Sequence, residues 1–569
     1  MAGPLYQMRS ARLLRAGAGL VILGGLILPV GLGLAHSLGA GFGHFPALGA
    51  VGPSLQPWQD LAAMPGMARA AVLSLWTGLT ATALSLLLAV GVLATLHGRM
   101  RRLRPLLAPL LAAPHAAVAI GLAFVLAPSG WLARALAPLV GWARPPDLAT
   151  VGDPFGLALI LGLVVKELPF LLLLLLGATT QIPLRQHLAA GRSLGYGRAA
   201  CWLWLILPQL WPLVRLPVMV VLAFSISVVD MALILGPSNP PTLAVLVARM
   251  FADPDLRAIL PASAGGLLQL ALALAAFALI LGTARLLAGA GRAILRQGRR
   301  AVWADPLLIL PVAVAGAMML LAGLAFAALA LWSISFAWRW PDLWPASLSL
   351  RVWADAARWS GTVATTALIG AVATSLALLT AILWLDSGDR LGRRGQEGWL
   401  RAAIHIPLLL PQLSFLIGLA GLMILGPLPP MVAVIWGHWL FVFPYVMIAL
   451  AGPWSALDPR LDRSAAALGA GPWRRLWQVK LPVLLAPICT AAAVGFAVSV
   501  AQYLPTLFLG GGRVETLTTE AVALSSGSDR RVAAVHAVLQ AVLPWAIFLA
   551  ALILPAALHR NRRALKGAA

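Results

Sequence analysis

The sequence predicts an all-α membrane protein of about twelve transmembrane helices, arranged as two tandem six-helix units. Three observations lead to this fold class. The composition is too apolar for a water-soluble domain, apolar stretches of membrane-spanning length follow one another along the chain, and several residues recur at a near-constant offset.

The composition excludes a soluble globular protein. Of the 569 residues, 61% are hydrophobic and 10% are charged, and the mean hydropathy is +0.92. A soluble domain carries about 25% charged residues. Most of the exterior must therefore face lipid, and there is no long polar block that would form a separate globular domain.

The apolar stretches divide into twelve candidate spans, since a bilayer core needs about 20 mainly apolar residues per helix. The predicted spans, numbered one to twelve in chain order, are 14–36, 69–96, 105–128, 155–178, 209–236, 262–288, 306–336, 360–385, 402–426, 430–452, 483–509 and 533–557. The piece 131–142 is short and flanked by proline, and we interpret it as an interfacial helix or loop.

The basic residues predict the orientation. If both termini are cytoplasmic, 28 of the 41 lysine and arginine residues lie in the inside segments, and each inside segment is basic. This distribution follows the positive-inside rule. The net charge of +23 therefore indicates membrane topology rather than nucleic-acid binding. The sequence predicts a multi-pass protein of the bacterial inner membrane with both termini in the cytoplasm.

Recurring residues indicate an internal duplication. Gly195 precedes Pro208 by thirteen residues, Gly469 precedes Pro482 by thirteen, and the two pairs are 274 residues apart. Three further matches occur in the same order: Pro114 and Gly121 with Pro411 and Gly418, Leu168-Pro169-Phe170 with Phe443-Pro444-Tyr445, and Thr77-Gly78 with Ser360-Gly361. The predicted units are 1–300 and 301–569, with the same orientation in the membrane.

The Gly–Pro spacing marks one loop in each unit, at 186–208 and at 460–482. Each loop reads as a short helix rich in small residues, broken at a glycine that adopts positive φ, and followed by a basic helix that ends near a proline. The residues singled out in the two loops are Ala189, Ala190, Gly191, Gly195, Pro208, Arg463, Ser464, Ala465, Gly469, Pro472 and Pro482.

At these residues the chain resembles the type I ATP-binding-cassette importer permeases. Their EAA loop reads E-A-A, three residues, G, and then I/V-x-L-P. The resemblance covers both halves and is similar to the fused two-unit branch that includes thiamine and ferric-iron permeases. It implies that the loops are coupling helices for a cytoplasmic ATPase dimer, and that an extracytoplasmic solute-binding protein delivers the cargo. It also implies thiamine as the first choice of cargo and ferric iron as the second.

The loops depart from the family pattern at its glutamate. That position is Ala189 in the first loop and Arg463 in the second, where Asp462 is adjacent. One alanine of the motif is replaced in each loop as well. The second alanine position is Gly191 in the first loop, and the first alanine position is Ser464 in the second loop. A polar docking contact from the glutamate is therefore lost, whereas the spacing that shapes the loop is kept.

The chain lacks a phosphate-binding loop. The motif GxxxxGK[ST] needs a lysine followed by serine or threonine. The three lysines, Lys166, Lys480 and Lys566, are followed by glutamate, leucine and glycine. The sequence therefore predicts a permease that is not an enzyme, with no cofactor and no metal site, and with ATP hydrolysis in a partner subunit.

A twelve-helix secondary transporter of the major facilitator type is the alternative. The segment Asp389-Arg390-Leu391-Gly392-Arg393-Arg394 lies between spans eight and nine, where that superfamily often carries a similar motif. However, the equivalent loop of the first half has no aspartate, and the alternative does not explain the paired Gly–Pro loops. We interpret the segment as a basic turn with a capping aspartate.

Polar residues inside the spans are candidates for the translocation path, because ionisable groups at membrane depth are costly. They are Lys166, Glu167, Ser225, Ser227, Asp230, Ser499, Gln502 and Tyr503, with His115 and Gln412 as weaker candidates. Lys166 and Glu167 are neighbours in sequence and do not face each other on a helix, so at least one needs another partner. Hydrogen bonding between helices of the bundle is the structural alternative.

Overall fold

A computed structural model describes residues 4–392, 402–527 and 529–560 of the chain. Its elements are helices apart from two short strand pairs, His44–Phe45 with Ala50–Val51 and Ser335–Ala337 with Ser347–Leu348. The all-α membrane class is therefore confirmed. In the described part, ten helices are long and apolar enough to cross a membrane, or eleven if one bent pair is counted as a span.

Each of the twelve predicted spans has a helix in the structure. In chain order, the spans are Met8–Gly41, Met67–Arg99, His115–Leu126, Leu157–Thr179, Arg198–Ser227, Leu256–Arg296, Val302–Ile334, Ser360–Arg390, Gln412–Leu425, Pro430–Ala456, Leu485–Val500 and Arg530–Leu558. Spans one, five and eleven contain or follow a π-helical turn, at Leu23–Ile27, Cys201–Ile206 and Leu476–Lys480.

Shorter helices connect the spans. They are Gln56–Ala63, Met100–Ala112, Trp131–Val140, Leu184–Ser193, Asp230–Leu235, Leu243–Phe251, Arg351–Ala354, Ile406–Leu409, Pro459–Ala467, Pro472–Arg475, Leu481–Val483, Leu504–Gly510 and Leu517–Ser525. The piece 131–142 forms a helix at Trp131–Val140, as one of the two interpretations anticipated.

Spans three and nine begin later than the sequence predicts, at His115 and Gln412. In both places a proline precedes the helix, and the residue before that proline, Ala113 or Leu410, is extended. A proline disfavours the helical conformation for the residue before it. The chain breaks at each proline, so span nine is a short helix. Arg393, Arg394 and Arg401, together with the basic residues after Arg560, lie outside the described residues.

The first helix of each half crosses the third helix of the other half. Span one crosses span nine, where the backbone N–H of Gly418 donates to the Ser37 hydroxyl at 2.9 Å. A Cβ on Gly418 would overlap the carbonyl oxygen of Gly33. Span seven crosses span three in the same way, and a Cβ on Gly121 would lie 2.6 Å from the Ala325 carbonyl oxygen. Glycine is needed at both crossings because the backbones touch.

Two hydrogen bonds show which residues of spans two and eight correspond. The Leu243 N–H donates to the Ser74 hydroxyl, and the Leu517 N–H donates to the Thr366 hydroxyl, each at 2.9 Å. Since Leu243 and Leu517 are 274 residues apart, Ser74 corresponds to Thr366, and Gly78 corresponds to Gly370. The predicted match of Thr77-Gly78 with Ser360-Gly361 is therefore wrong.

Candidate functional sites: two loops and a central cavity

The two Gly–Pro loops have the same backbone geometry. Gly195 and Gly469 both adopt φ of +83°. In the first loop Gly195 N–H donates to Arg192 O, and in the second Gly469 N–H donates to Ala466 O. The N–H of the next residue in each loop donates to the carbonyl one position earlier, that of Gly191 or of Ala465. This pair of bonds is the Schellman ending of a helix, which places glycine in the left-handed region.

The small residues of the loops divide into exposed and buried positions. Ala189, Ala190, Arg463 and Ser464 are exposed, whereas Gly191 packs against the thiol of Cys201. The tip of each loop is a leucine, and Leu194 and Leu468 are 65% and 88% exposed. Pro472 and Pro482 are partly exposed and lie at helix starts. Pro208 is partly exposed and lies within span five, just after its π-helical turn, so the prediction that the basic helix ends near this proline is wrong for the first loop. An exposed apolar tip on a rigid turn suits docking to another protein.

The first loop is held by the segment that joins the two halves. The Asp305 carboxylate accepts from the backbone N–H groups of Arg198 and Ala199, each at 2.9 Å. The Gly197 N–H donates to Arg300 O at 2.8 Å, and the Tyr196 hydroxyl donates to Leu295 O at 2.8 Å. The helix that follows the loop is thus capped by a residue more than 100 positions later.

The second loop is held by a buried ion cluster. The Lys480 ammonium donates to Asp386 at 2.8 Å and to Asp389 at 3.0 Å, and only 3% of Lys480 is exposed. Asp386 also pairs with Arg390, and the Trp454 indole donates to Asp389 at 3.0 Å. In the first loop the residue at the same register is Ile206, which is fully buried.

A cavity of about 430 Å³ lies between the two halves and is lined by residues of both. Six of the eight predicted path residues line it: Lys166, Glu167, Ser227, Asp230, Gln502 and Tyr503. The two weaker candidates, His115 and Gln412, also line it. The polar groups of spans four, five and eleven are therefore brought together at one place.

The helical structure is interrupted at the cavity, between span five and the helix after it and between span eleven and the helix after it. Span five ends at Ser227 and the next helix begins at Asp230, while span eleven ends at Val500 and the next helix begins at Leu504. Non-helical backbone at membrane depth is tolerated where it is buried in protein or lines a water-filled cavity. The interruptions carry Asp230, Gln502 and Tyr503 into the cavity wall.

Lys166 and Glu167 have separate partners, as their adjacency requires. The Lys166 ammonium donates to the carbonyl oxygens of Leu110 and Ala113, at 2.8 and 2.6 Å. Glu167 lies 3.4 Å from Nε2 of His115, whose ring packs on Phe224. The lysine therefore binds the carboxyl end of the helix Met100–Ala112.

Ser225 and Ser499 lie outside the cavity lining. Both are buried, and Ser499 Oγ is 2.7 Å from Nδ1 of His438. The other ring nitrogen of His438 is 2.8 Å from the Thr506 hydroxyl. His438 thus joins span ten to span eleven and the helix after it. The sequence analysis missed this histidine, although a lone histidine within an apolar span was the available signal.

The cavity includes aromatic residues that sequence reasoning did not assign to the path. Tyr445 and Phe441 come from span ten, and Phe548 comes from span twelve. Tyr445 was recognised only as part of a repeated Pro-centred motif. Its role in the lining depends on helix rotation, which the local sequence does not specify.

Comparison with known proteins identifies relatives. The chain is 36% identical over 503 residues to the inner membrane ABC transporter permease protein YnjC of Escherichia coli K12, covering 87% of this chain and 89% of that protein. It is 26% identical over 203 residues to the putative 2-aminoethylphosphonate transport system permease protein PhnV of Salmonella typhimurium, covering 34% of this chain and 74% of PhnV. It is 27% identical over 169 residues to the molybdenum transport system permease protein ModB of Azotobacter vinelandii, covering 26% of this chain and 74% of ModB.

No protein-family profile and no solved structure matches the chain. The relatives are ABC permeases, and the major facilitator alternative is therefore rejected. The segment that favoured it, at Asp389 and Arg390, instead takes part in the ion cluster around Lys480. With the long match to YnjC and ten or more apolar spans in the described part, the chain belongs to the family of multi-pass inner-membrane ABC transporter permeases.

Proposed function

We propose that this one chain forms the complete translocation pathway of an ABC importer, with permease units at 1–300 and 301–569. The loops 186–208 and 460–482 dock into a cytoplasmic ATPase dimer, and both termini are cytoplasmic. An extracytoplasmic solute-binding protein delivers the cargo. The central observation behind this proposal is the common geometry of the two loops, with positive φ at Gly195 and Gly469 and an exposed leucine before each glycine.

The reciprocal helix crossings support the division into two units. Gly121 and Gly418 serve the same purpose in spans three and nine, and they are contacted by span seven and span one respectively. PhnV and ModB add support, because about three-quarters of each matches about a third or a quarter of this chain. These coverages are expected if a single permease of their kind corresponds to one half.

The proposed cargo is thiamine first and ferric iron second, as the resemblance to the fused two-unit permeases implies. The names of two relatives mention 2-aminoethylphosphonate and molybdenum, so related permeases serve different solutes. A direct test is the gene neighbourhood. We expect adjacent genes for an ATPase and a secreted binding protein, and their consistent absence would count against the importer. A ligand screen of that binding protein identifies the cargo.

Valine at Gly469 is expected to uncouple transport from ATP hydrolysis. A Cβ there meets no atom within 4 Å, so the effect of the substitution comes from the backbone alone. A β-branched residue at positive φ costs about 1–3 kcal/mol, which distorts the exposed loop while the membrane helices stay packed. We expect normal insertion with loss of ATPase stimulation and of uptake in proteoliposomes. Gly195→Val is also expected to uncouple transport, through the same backbone strain and through a close contact with the Arg300 side chain, which lies 3.0 Å from a Cβ at this position.

Asparagine at the same position is the matched control. Asn tolerates the left-handed region far better than valine. Gly469→Asn is therefore expected to retain most of the ATPase stimulation. If Gly469→Val couples as well as wild type, the loop is not the coupling element.

Asp230→Asn is expected to impair uptake without changing basal ATPase activity. Asp230 lines the cavity and lies outside both loops. Removing its charge changes the path for the solute while the coupling loops stay intact. The comparison is with Asp60→Asn, which alters an exposed carboxylate on the helix Gln56–Ala63. Uptake that equals wild type would leave Asp230 with a structural role.

A further inference from the structure

We infer that the central cavity receives an organic cation, so that the imported solute carries a positive group on an apolar or aromatic body. This inference rests on the proposed function, because it treats the cavity as part of the translocation path. The inference depends on three features of the described lining: an ammonium group that is already hydrogen-bonded to backbone carbonyl oxygens, two carboxylates, and aromatic rings.

The ammonium group of the lining, on Lys166, is hydrogen-bonded to backbone carbonyl oxygens. Two of the three donors of the Lys166 ammonium are bound to Leu110 O and Ala113 O. These carbonyls lie at the carboxyl end of the helix Met100–Ala112, where the helix dipole is negative. Lys166 therefore compensates a helix end, and no arginine is among the described residues that line the cavity.

The two carboxylates are less fully engaged. Glu167 is 6% exposed, and the described side chain that bonds it is His115, at 3.4 Å. Asp230 is 7% exposed, and no described side chain is hydrogen-bonded to it: backbone N–H groups at the start of its own helix are its local partners, and His115 and Lys166 are its charged neighbours. A buried carboxylate without a side-chain partner is costly. A cationic ligand in the cavity supplies that partner.

Aromatic rings line the same cavity as the carboxylates. The lining contains six phenylalanine and tyrosine rings, from Phe170, Phe224, Phe441, Tyr445, Tyr503 and Phe548. The face of an aromatic ring attracts a cation, most strongly when the cation is desolvated. Carboxylates and ring faces together are the chemistry that recognises ammonium-type ligands. The same lining disfavours an oxyanion, because its two carboxylates outnumber the one ammonium group among its described residues.

Choline and its uncharged isostere 3,3-dimethyl-1-butanol provide a matched pair of probes. The purified full chain in lipid nanodiscs is titrated with each probe and with molybdate, and binding is followed by the shift of the thermal unfolding midpoint. We expect choline to raise the midpoint at concentrations where the isostere and molybdate leave it unchanged. Equal shifts from choline and the isostere, no shift from choline, or a larger shift from molybdate would overturn the inference.

Variants locate the binding. The double variant Asp230→Asn and Glu167→Gln is expected to weaken choline binding at least tenfold, whereas Asp60→Asn leaves it unchanged. Unchanged affinity in the double variant overturns the site. If that variant does not fold, Glu167→Gln alone and the choline-to-isostere ratio of the wild-type chain decide the question.

The same nanodiscs separate this inference from the proposed function. ATPase stimulation by the intact chain depends on the coupling loops and not on the class of the solute. A chain that stimulates its ATPase but does not prefer choline to the isostere refutes the cation site alone. A chain that prefers choline but stimulates no ATPase refutes the importer and leaves the site standing.

Discussion

The Gly418→Val variant is expected to lose most of its folded population. At the crossing of spans one and nine, a Cβ on Gly418 overlaps the Gly33 carbonyl oxygen and lies 2.6 Å from the Ser37 N atom. These are backbone atoms and cannot move aside as a side chain would. Overpacking a tight contact costs about 1–3 kcal/mol, and more where the backbone must shift. We expect a cost above that range, measured as lost monodisperse protein in detergent and a lowered unfolding midpoint.

Gly323→Val is the control for Gly418→Val. Gly323 lies within span seven, and a Cβ there meets no atom within 4 Å. The same substitution at this exposed position is expected to leave the midpoint nearly unchanged. If both variants behave alike, the close approach at Gly418 is not what stabilises the crossing.

The Lys480→Met variant is expected to destabilise the chain by about 3–5 kcal/mol, as removing one partner of a buried ion pair does. Methionine matches the length of the lysine stem but removes the buried ammonium that donates to both Asp386 and Asp389. Asp386 keeps Arg390. The free energy of unfolding, from denaturant titration in detergent, measures the effect.

A second substitution separates the two effects of Lys480→Met on stability, the loss of the positive charge and the loss of side-chain packing. In Lys480→Met with Asp389→Asn, the amide oxygen still accepts from the Trp454 indole, and one negative charge of the cluster is removed together with the positive charge. We expect the double variant to be more stable than Lys480→Met alone. Arg474→Met removes an exposed cation from the same loop and is expected to change stability by less than about 0.5 kcal/mol. A double variant no more stable than the single one argues against the charge explanation.

Much of the fold follows from the sequence because lipid imposes a simple length rule. Each of the twelve stretches predicted from apolar length coincides with a helix of the described part, and ten or eleven of the described helices are long and apolar enough to cross a membrane. The errors occurred where local chemistry overrides that rule. Pro114 and Pro411 break their helices, so spans three and nine start late. Pairing Thr77-Gly78 with Ser360-Gly361 failed because small residues recur by chance in apolar helices.

The polar residues of the cavity were predictable individually but not as a set. Lys166, Glu167 and Asp230 are conspicuous because a charge within an apolar span is rare. The partners of Lys166, the backbone carbonyl oxygens of Leu110 and Ala113, carry no signal in the sequence. The ion cluster of Lys480 was missed because its members are separated by 91 and 94 residues. Helix rotation decides such contacts, and apolar composition does not specify rotation.

The crossing of span one with span nine has a consequence for biogenesis. Ser37 leaves the ribosome 381 residues before Gly418, which corresponds to about 20–80 s at 5–20 residues per second. Through that interval span one is in the membrane without span nine, the helix that closes over Gly33 and Ser37. This crossing therefore forms only when span nine is inserted. Insertion partners that shield small-residue helix faces would act on this protein during that interval.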